Sequence, residues 1–251
     1  MKQITATKLV KVYKGRSVVN EVSLNVNQGE IVGLLGPNGA GKTTTFYMIV
    51  GLVRPKSGEI RLNDRVITQM PMYKRARLGL GYLPQEPSIF KKLTVEDNLR
   101  LLLEVVQPIA PDQFDTRINE LITDLGLHHV RQAKGYQLSG GEKRRVEIAR
   151  ALSLNPSFIL LDEPFAGVDP IAVRDIQSII CRLKEKQLGV IITDHNVRET
   201  LAITDRSYII HQGSILCSGE PADIASNELA RKYYLGDSFE LGTVDKSMHK
   251  G

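Results

Sequence analysis

The sequence predicts an α/β fold, and three stretches carry the prediction. Residues 30–35 form a short apolar run that leads directly into the glycine-rich segment Gly36–Thr43, and residues 44–50 can continue as a helix. Two later apolar runs, 158–161 and 189–193, have the length and the branched side chains of strands that are buried on both faces. A strand, a loop and a helix followed by further buried strands are typical of an α/β core.

The glycine-rich segment fits the phosphate-loop pattern G-x-x-x-x-G-K-[ST] without a gap. Its glycines let backbone N–H groups turn toward phosphate oxygens at the positive end of a helix. Lys42 would supply a charge near the β and γ phosphates, and Thr43 a hydroxyl for Mg²⁺. An ordinary glycine-rich turn would need neither side chain. The predicted nucleotide-binding residues are Gly36, Pro37, Asn38, Gly39, Ala40, Gly41, Lys42, Thr43 and Thr44.

The elements can be predicted in chain order. Short strands are expected over the first 30 residues, with turns at 14–15 and 28–29. From 89 to 155 apolar residues recur at helical spacing, and Thr94 with Asp97 resembles a helix start, so this stretch is predicted to be an inserted helical lobe. Asp169 followed by Pro170 should begin another helix.

These elements predict one domain over residues 1–241. Its core would comprise about 1–88 and 156–235, its helical part about 89–155, and a disordered tail would follow at 242–251.

Composition excludes several classes of protein. The 251 residues carry a formal charge of +5, and the two cysteines, Cys181 and Cys217, lie far apart, as expected in a reducing cytosol. The sequence has no apolar run long enough to span a bilayer, so any membrane role would be peripheral. The basic clusters at 74–77 and 143–145 are interpreted as solvated helix faces and not as a nucleic-acid site.

Two carboxylates follow the apolar run 158–161. In open α/β sheets ligands bind at the carboxyl ends of the strands, which is where Asp162 and Glu163 would lie. Asp162 is suited to holding Mg²⁺, and Glu163 to orienting or deprotonating an attacking water. The alternative is a polar turn after a strand. The phosphate loop upstream favours catalysis.

A second glycine pair occurs in Leu138-Ser139-Gly140-Gly141-Glu142, just before a predicted helix. Ser139 and Glu142 form a capping-box pattern, which alone could account for both residues. The cap does not account for the two glycines, which leave the helix N-terminus open to an anion.

Together these motifs resemble those of ABC transporter ATPases. In the family's order, the chain has Walker A at 36–43, the Q-loop Gln85, the signature at 138–142, Walker B at 158–163, the D-loop at 166–169 with Asp169, and the switch histidine His195. The resemblance covers residues 1 to about 235. It implies a P-loop NTPase (RecA-like) core with an N-terminal antiparallel β subdomain and an inserted α-helical subdomain.

The resemblance also implies a mechanism with ATP and Mg²⁺. Two copies of the chain would face head to tail, and each ATP would lie between Walker A of one copy and the signature of the other. Tyr13 would stack on adenine, although a lone tyrosine near a strand end is more often core or rim packing. Gln85 would sense Mg²⁺ and water, with Thr43 and Asp162 as the other metal residues, and His195 would bond the γ phosphate. Catalysis is assigned to Glu163, His195 and Gln85, and the signature contacts in trans to Ser139, Gly140, Gly141 and Glu142.

Glu142 departs from the family's usual Gln. It can still close the capping box on the Ser139 amide, but its negative charge near a phosphate is expected to slow turnover modestly.

Within the family, segments 43–48, 82–90, 165–170, 193–200 and 234–239 resemble the ATPases that power lipopolysaccharide export. This implies a homodimer on the cytoplasmic face of the inner membrane, two integral membrane permease subunits, no nucleic acid and no direct contact with the cargo. Phe90 would anchor a partner helix in a groove, or would simply pack in the lobe. The alternatives are the ATPase of a branched-chain amino-acid importer and a soluble ABC ATPase acting on ribosomes or DNA.

Overall fold

The computed structural model describes residues 2–106 and 110–241, which form two sheets and a set of surrounding helices. The strands are β1 (Gln3–Tyr13), β2 (Arg16–Asn27), β3 (Ile31–Leu35), β4 (Ser57–Leu62), β5 (Arg65–Val66), β6 (Leu80–Leu83), β7 (Phe158–Asp162), β8 (Gly189–Thr193), β9 (Arg206–His211) and β10 (Ser214–Gly219). The α-helices are α1 (Lys42–Val50), α2 (Met72–Arg77), α3 (Val95–Val106), α4 (Pro111–Asp124), α5 (Gly140–Leu152), α6 (Pro170–Glu185), α7 (Val197–Leu201), α8 (Pro221–Ser226) and α9 (Glu228–Ala230). Short 3₁₀ turns lie at His128–Val130 and Gly135–Gln137, and a π turn at Arg231–Leu235. The predicted tail, 242–251, lies outside the described residues.

The larger sheet has the strand order β10-β9-β3-β8-β7-β6, and all its neighbours are parallel except β10 and β9. Every residue of β3, β7 and β8 is buried, which confirms the three strands predicted from their apolar runs. Parallel strands end at one edge of their sheet. The phosphate loop, Asp162 and Thr193 therefore share that edge, with Asp162 and Thr193 as register partners.

The smaller sheet is antiparallel, with the order β2-β1-β4-β5. The turn predicted at Lys14–Gly15 is confirmed. The prediction that the strands on either side are short is wrong, since β1 has 11 residues and β2 has 12. Lys8 and Glu21 take positive φ angles of 47° and 51°, and the pairing of β1 with β2 shifts register after Ala6. These irregularities break the sequence alternation without ending either strand.

The helical region between β6 and β7 contains α3, α4 and α5. Its predicted apolar positions Leu99, Leu103, Ile118, Leu121, Ile122 and Leu125 are buried in one cluster with the sheet residues Ile159 and Leu161. Leu102 is only partly buried. The helix start at Thr94 is confirmed, because the Asp97 amide donates to Thr94 Oγ1 at 3.0 Å. The lobe boundaries at 89 and 155 stay a prediction.

The basic cluster at 74–77 is not simply a solvated face. Arg75 is 1% exposed, and its guanidinium donates to the carbonyl oxygens of Met48 (2.8 Å), Ile49 (2.6 Å), Thr68 (2.9 Å) and Met70 (2.8 Å). Two of these carbonyls lie in the last turn of α1, where carbonyl oxygens have no N–H donor within the helix. The cluster interpretation was therefore wrong at Arg75, which caps the helix that follows the phosphate loop.

Candidate nucleotide-binding and catalytic site

The phosphate loop connects β3 to α1, and Lys42 is its buried charge. The Lys42 ammonium donates to the carbonyl oxygens of Gly36 at 2.6 Å and Pro37 at 3.0 Å. Burial lowers the pKa of Lys42, and the negative charge of Glu163 opposes that shift. The loop thus concentrates positive charge beside the amide groups that begin a helix, which is the arrangement an anionic phosphate requires.

Two loop glycines are required by close backbone contacts. A Cβ at Gly36, whose φ is 143°, would lie 2.1 Å from the carbonyl oxygen of Ile210. A Cβ at Gly41, whose φ is 106°, would lie 2.6 Å from the carbonyl oxygen of Val18 in β2. Gly39 has a φ of 76°, but a Cβ there would meet no described atom within 4 Å. A glycine is therefore favoured at position 39 only because of the positive φ angle.

A pocket of about 630 Å³ opens beside this loop. It is lined by Arg16, Ser17, Val18, Pro37, Asn38, Gly39, Ala40, His211, Gln212 and Gly213. Among the described residues, this lining does not include Tyr13, which lies at the end of β1 with 45% of its surface exposed and with Lys11 Nζ 5.1 Å from its ring centroid. Tyr13 is the register partner of Arg16, which lines the pocket, across the β1–β2 hairpin.

The three predicted catalytic residues meet at one carboxylate oxygen. Gln85 Nε2 donates to Glu163 Oε2 at 3.0 Å, and His195 Nδ1 lies 3.3 Å from the same oxygen. Each residue follows its own strand, since Gln85 comes after β6, Glu163 after β7 and His195 after β8. These strands are neighbours in the sheet, so the topology brings together residues that are up to 110 positions apart in the sequence.

Glu163 itself has a strained backbone. Its φ is 47°, in the left-handed region that residues other than glycine seldom adopt, and its amide donates to the Thr193 carbonyl at 2.7 Å. Strain of this kind persists only where surrounding contacts hold it, and it concentrates at functional sites. The turn after β7 thereby directs the Glu163 side chain toward Gln85 and His195.

Asp162 fits a cation. It is 1% exposed, and its Oδ2 has no hydrogen-bond partner within the part of the chain that the structure describes. Burial raises the pKa of Asp162 to about 6. A buried carboxylate oxygen without a donor is stabilised by a metal ion, and Mg²⁺ commonly takes one or two protein oxygens together with phosphate and water. Thr43, in the first turn of α1, supplies a second suitable oxygen.

Sequence reasoning missed Arg144, the centre of the second basic cluster. Arg144 is buried, and its guanidinium donates to the carbonyl oxygens of Pro84, Asp162, Glu163 and Pro164 at 2.9, 2.9, 2.8 and 3.2 Å. It also pairs with buried Glu147 at 3.1 Å. The solvated-face interpretation was therefore wrong here too. The available signal was helical spacing, since Arg144 is four residues before the buried Ile148.

Glu147 extends this connection to the segment after the Q-loop. Its Oε1 accepts from the Ser88 amide at 2.6 Å and the Ile89 amide at 3.3 Å. One ion pair on α5 is thus bonded to the segments on both sides of Gln85 and to the turn that carries Glu163.

The glycine pair lies at the start of α5, as predicted. Ser139 is the N-cap, and the capping box is confirmed in both directions, with the Glu142 amide donating to Ser139 Oγ at 3.2 Å and the Ser139 amide to Glu142 Oε2 at 2.8 Å. A Cβ at Gly141 would lie 2.7 Å from Ala172 Cβ. Asp169 caps α6 by accepting from the amides of Ile171 and Ala172 at 3.1 and 3.0 Å.

Among the described residues, the signature and the phosphate loop border two separate pockets. A cleft of about 490 Å³ joins Gln85, Gly140, Lys143, Ala166 and Gly167, and it has no described lining residue in common with the pocket beside the phosphate loop. Gly140 therefore borders a different cavity from the one that contains Asn38 and Gly39.

The profile of the ABC transporter family matches residues 19–166, which contain the phosphate loop, Gln85, the signature and Glu163. The chain belongs to the ABC transporter family.

Relatives in this family match nearly the whole chain. The lipopolysaccharide export system ATP-binding protein LptB of Escherichia coli is 56% identical over 241 residues, which cover 96% of this chain and 100% of LptB. LptB of Acidithiobacillus ferridurans is 56% identical over 95% of this chain and 98% of its own length. A probable ABC transporter ATP-binding protein of Azorhizobium caulinodans is 55% identical over 95% of this chain and 84% of its length.

Solved structures of ABC ATPases share the fold. A crystal structure of an ABC transporter ATP-binding cassette in its ADP conformation superposes with a TM-score of 0.84 at 28% identity, covering 94% of this chain and 100% of that one. A dimeric structure of a bacterial ABC transporter cassette gives 0.76 at 25% identity, covering 87% and 98%. The expected P-loop NTPase core with an antiparallel β subdomain and a helical part is confirmed. Among the helices of the described residues, none has the length and apolar character needed to cross a membrane.

Proposed function

We propose that this chain is the ATP-hydrolysing subunit of a transporter that extracts lipopolysaccharide from the inner membrane for export. The convergence of Gln85 and His195 on Glu163 Oε2 is the observation that carries the catalytic part of the proposal. The lipopolysaccharide cargo is supported by LptB, the relative that is 56% identical across its full length.

The proposed chemistry follows from the site geometry. Lys42 and the loop amides bind the phosphates of ATP, and Glu163 orients and accepts a proton from the attacking water. Gln85 and His195 would hold the carboxylate of Glu163, and His195 would also donate a hydrogen bond to the γ phosphate. Bound Mg²⁺, held by Thr43 and Asp162 with Gln85 nearby, would neutralise charge on the phosphates.

A second copy of the chain would complete each site. Since Gly140 and the phosphate loop border different cavities in one chain, the signature residues Ser139, Gly140, Gly141 and Glu142 are proposed to contact the nucleotide of the partner. A two-fold dimer makes the two sites identical. Asp169, at the N-cap of α6, would lie at the same interface, and Tyr13 would stack on the adenine.

The remaining proposals concern partners and location. The dimer would bind two integral membrane permease subunits at the cytoplasmic face of the inner membrane, and it would not touch the cargo. Phe90, 43% exposed, would anchor a helix of those subunits. The domain division at about 88 and 156 is proposed on the same family pattern.

The decisive experiment combines Glu163→Gln with identification of the membrane partners. The variant should bind ATP, lose nearly all hydrolysis and accumulate as an ATP-bound dimer in sedimentation measurements. Turnover close to that of the original chain would contradict the role of Glu163.

The cargo is tested separately by purifying the tagged chain from membranes. Permease subunits that extract lipopolysaccharide in a reconstituted assay are expected to copurify with it. Copurification of amino-acid importer subunits instead would replace the lipopolysaccharide assignment.

A further inference from the structure

The carboxylate of Glu142, at the position where the family usually has Gln, is held at both oxygens. Oε2 accepts from the Ser139 amide at 2.8 Å, and Oε1 lies 3.0 Å from His129 Nε2. The bond from the Ser139 amide is the main cause that lowers the pKa of Glu142, and His129 contributes to it. The side chain is therefore an anion at neutral pH, at the N-terminus of the helix that begins with the signature glycines.

The imidazole of His129 comes from outside that helix. His129 lies in the short turn His128–Val130, after α4, and 59% of its side chain is exposed. A carboxylate only accepts hydrogen bonds, so His129 Nε2 must be the donor in this contact. The preceding residue, His128, points elsewhere and bonds Thr123 Oγ1 at 3.0 Å. The turn thus provides two histidines, of which one contacts the signature.

We propose that His129 is a positioning residue that acts through Glu142. Its imidazole holds the carboxylate against the Ser139 amide, away from the phosphate that Ser139 and Gly141 would contact in the partner's site. This inference rests on the proposed function, because it requires the signature to face a nucleotide.

The physical reason is the charge at position 142. A glutamate that leaves the cap would place a negative charge beside a polyphosphate, where repulsion is strong because little water separates the two. A hydrogen bond from His129 to an ionised acceptor is among the stronger side-chain bonds and keeps that conformer rare. An amide at the same position closes the capping box without a charge, so it would not need His129.

The test is a double-variant cycle, with every chain also carrying Glu163→Gln so that binding is separated from hydrolysis. The measurement is the ATP concentration at which half of the chain sediments as a dimer. His129→Ala should raise this concentration about five- to tenfold, the effect expected for one side-chain hydrogen bond whose donor is partly exposed to water. In chains that also carry Glu142→Gln, the same His129→Ala change should shift it less than about twofold.

Two further variants separate positioning from folding. His128→Ala, on the same turn, should leave the concentration unchanged, whereas His129→Gln, which retains an N–H donor, should recover part of the loss. The inference is overturned if His129→Ala shifts the half-dimerisation concentration equally with and without Glu142→Gln, or shifts it in neither case. In both outcomes the dimer still forms, so the proposed function is not affected. If Glu163→Gln alone forms no ATP-dependent dimer, the proposed function fails and this inference fails with it.

Discussion

The guanidinium of Arg144 donates to the backbone carbonyl oxygen of Glu163 at 2.8 Å. Arg144 is on α5, four residues after Gly140, whereas Glu163 belongs to the strained turn after β7. The helix that begins with the signature glycines is therefore bonded directly to the turn that carries the proposed catalytic carboxylate. A movement of that helix cannot leave the backbone of Glu163 unaffected.

Replacing Arg144 should destabilise the chain strongly. Arg144→Met removes four bonds to carbonyl oxygens and leaves the buried carboxylate of Glu147 without its ion-pair partner, and breaking such a pair typically costs about 3–5 kcal/mol. Urea unfolding should show this loss, and ATPase activity per folded molecule should fall as well. The double variant Arg144→Met/Glu147→Met should recover part of the stability, and Lys143→Met, at a half-buried neighbouring position, should cost under about 1 kcal/mol. A small loss of unfolding free energy in Arg144→Met would mean that the Arg144–Glu147 pair contributes little to stability.

The two kinds of glycine in the phosphate loop should respond differently to alanine. Gly39→Ala meets only the conformational cost of a positive φ, about 1–2 kcal/mol. Gly36→Ala carries that cost and must also displace the Ile210 carbonyl, which lies 2.1 Å from the added Cβ. We expect the lower melting temperature and the larger loss of ATP affinity for Gly36→Ala. Equal losses would show that backbone conformation alone decides both positions.

Glu96 should give the helical region an acid-sensitive contribution to stability. Hydrogen bonds from Arg131 are the first cause that lowers its pKa to about 2, from 4.5. Because the folded-state pKa is depressed, the stabilisation is full above about pH 4.5 and is lost as pH falls toward 2. Glu96→Gln should therefore be less stable by about 2–3 kcal/mol at pH 7, and the difference should shrink by pH 3.

The matched control for this prediction is Glu120→Gln. Glu120 is 54% exposed and, within residues 2–106 and 110–241, forms an ion pair only with Arg117, three residues away on the same helix. Its removal should change stability by under about 0.5 kcal/mol. Unfolding free energies measured at several pH values check both variants. If the difference in unfolding free energy between Glu96→Gln and the original chain stays constant from pH 7 to pH 3, the lowered pKa of Glu96 is contradicted.

Phe90 should matter for binding and little for folding. Its ring is half exposed, with the guanidinium carbon of Arg150 4.7 Å from the ring centroid, and its amide is bonded to buried Asn98. Phe90→Ala should keep the melting temperature within a few degrees but reduce copurification with the proposed membrane subunits. Leu229→Ala, at another exposed apolar position, is the control. Unchanged copurification of Phe90→Ala would leave only packing as the role of Phe90.

Sequence reasoning succeeded where local geometry decides the structure. The caps at Thr94, Ser139 and Asp169 depend on residues two or three positions apart, and the buried strands on continuous apolar runs. Gln85, Glu163 and His195 were predicted one by one from family motifs, and the parallel sheet brings them together because each follows a neighbouring strand.

Sequence reasoning failed where a long side chain forms hydrogen bonds with residues far away in the sequence. Arg144 bonds carbonyl groups 18 to 60 residues away, and Arg75 bonds the end of a helix 26 and 27 residues earlier. In the sequence, each stood within a cluster of like charges that resembles a solvated face. The contact of His129 with Glu142 was missed for the same reason, since it joins a turn to a separate helix.

The phosphate loop is also held from outside. Gly41 approaches the Val18 carbonyl of β2, and the Gly213 amide in the turn before β10 donates to Ala40 at 2.9 Å while the Gly213 carbonyl accepts from Asn20 at 2.7 Å. The conformation of the loop therefore depends on β2 and on the 212–213 turn as well as on its own sequence. A chimera that exchanges residues 36–43 between two ATPases must exchange β2 and the 212–213 turn with them, because the grafted loop would otherwise lose the walls that define its shape.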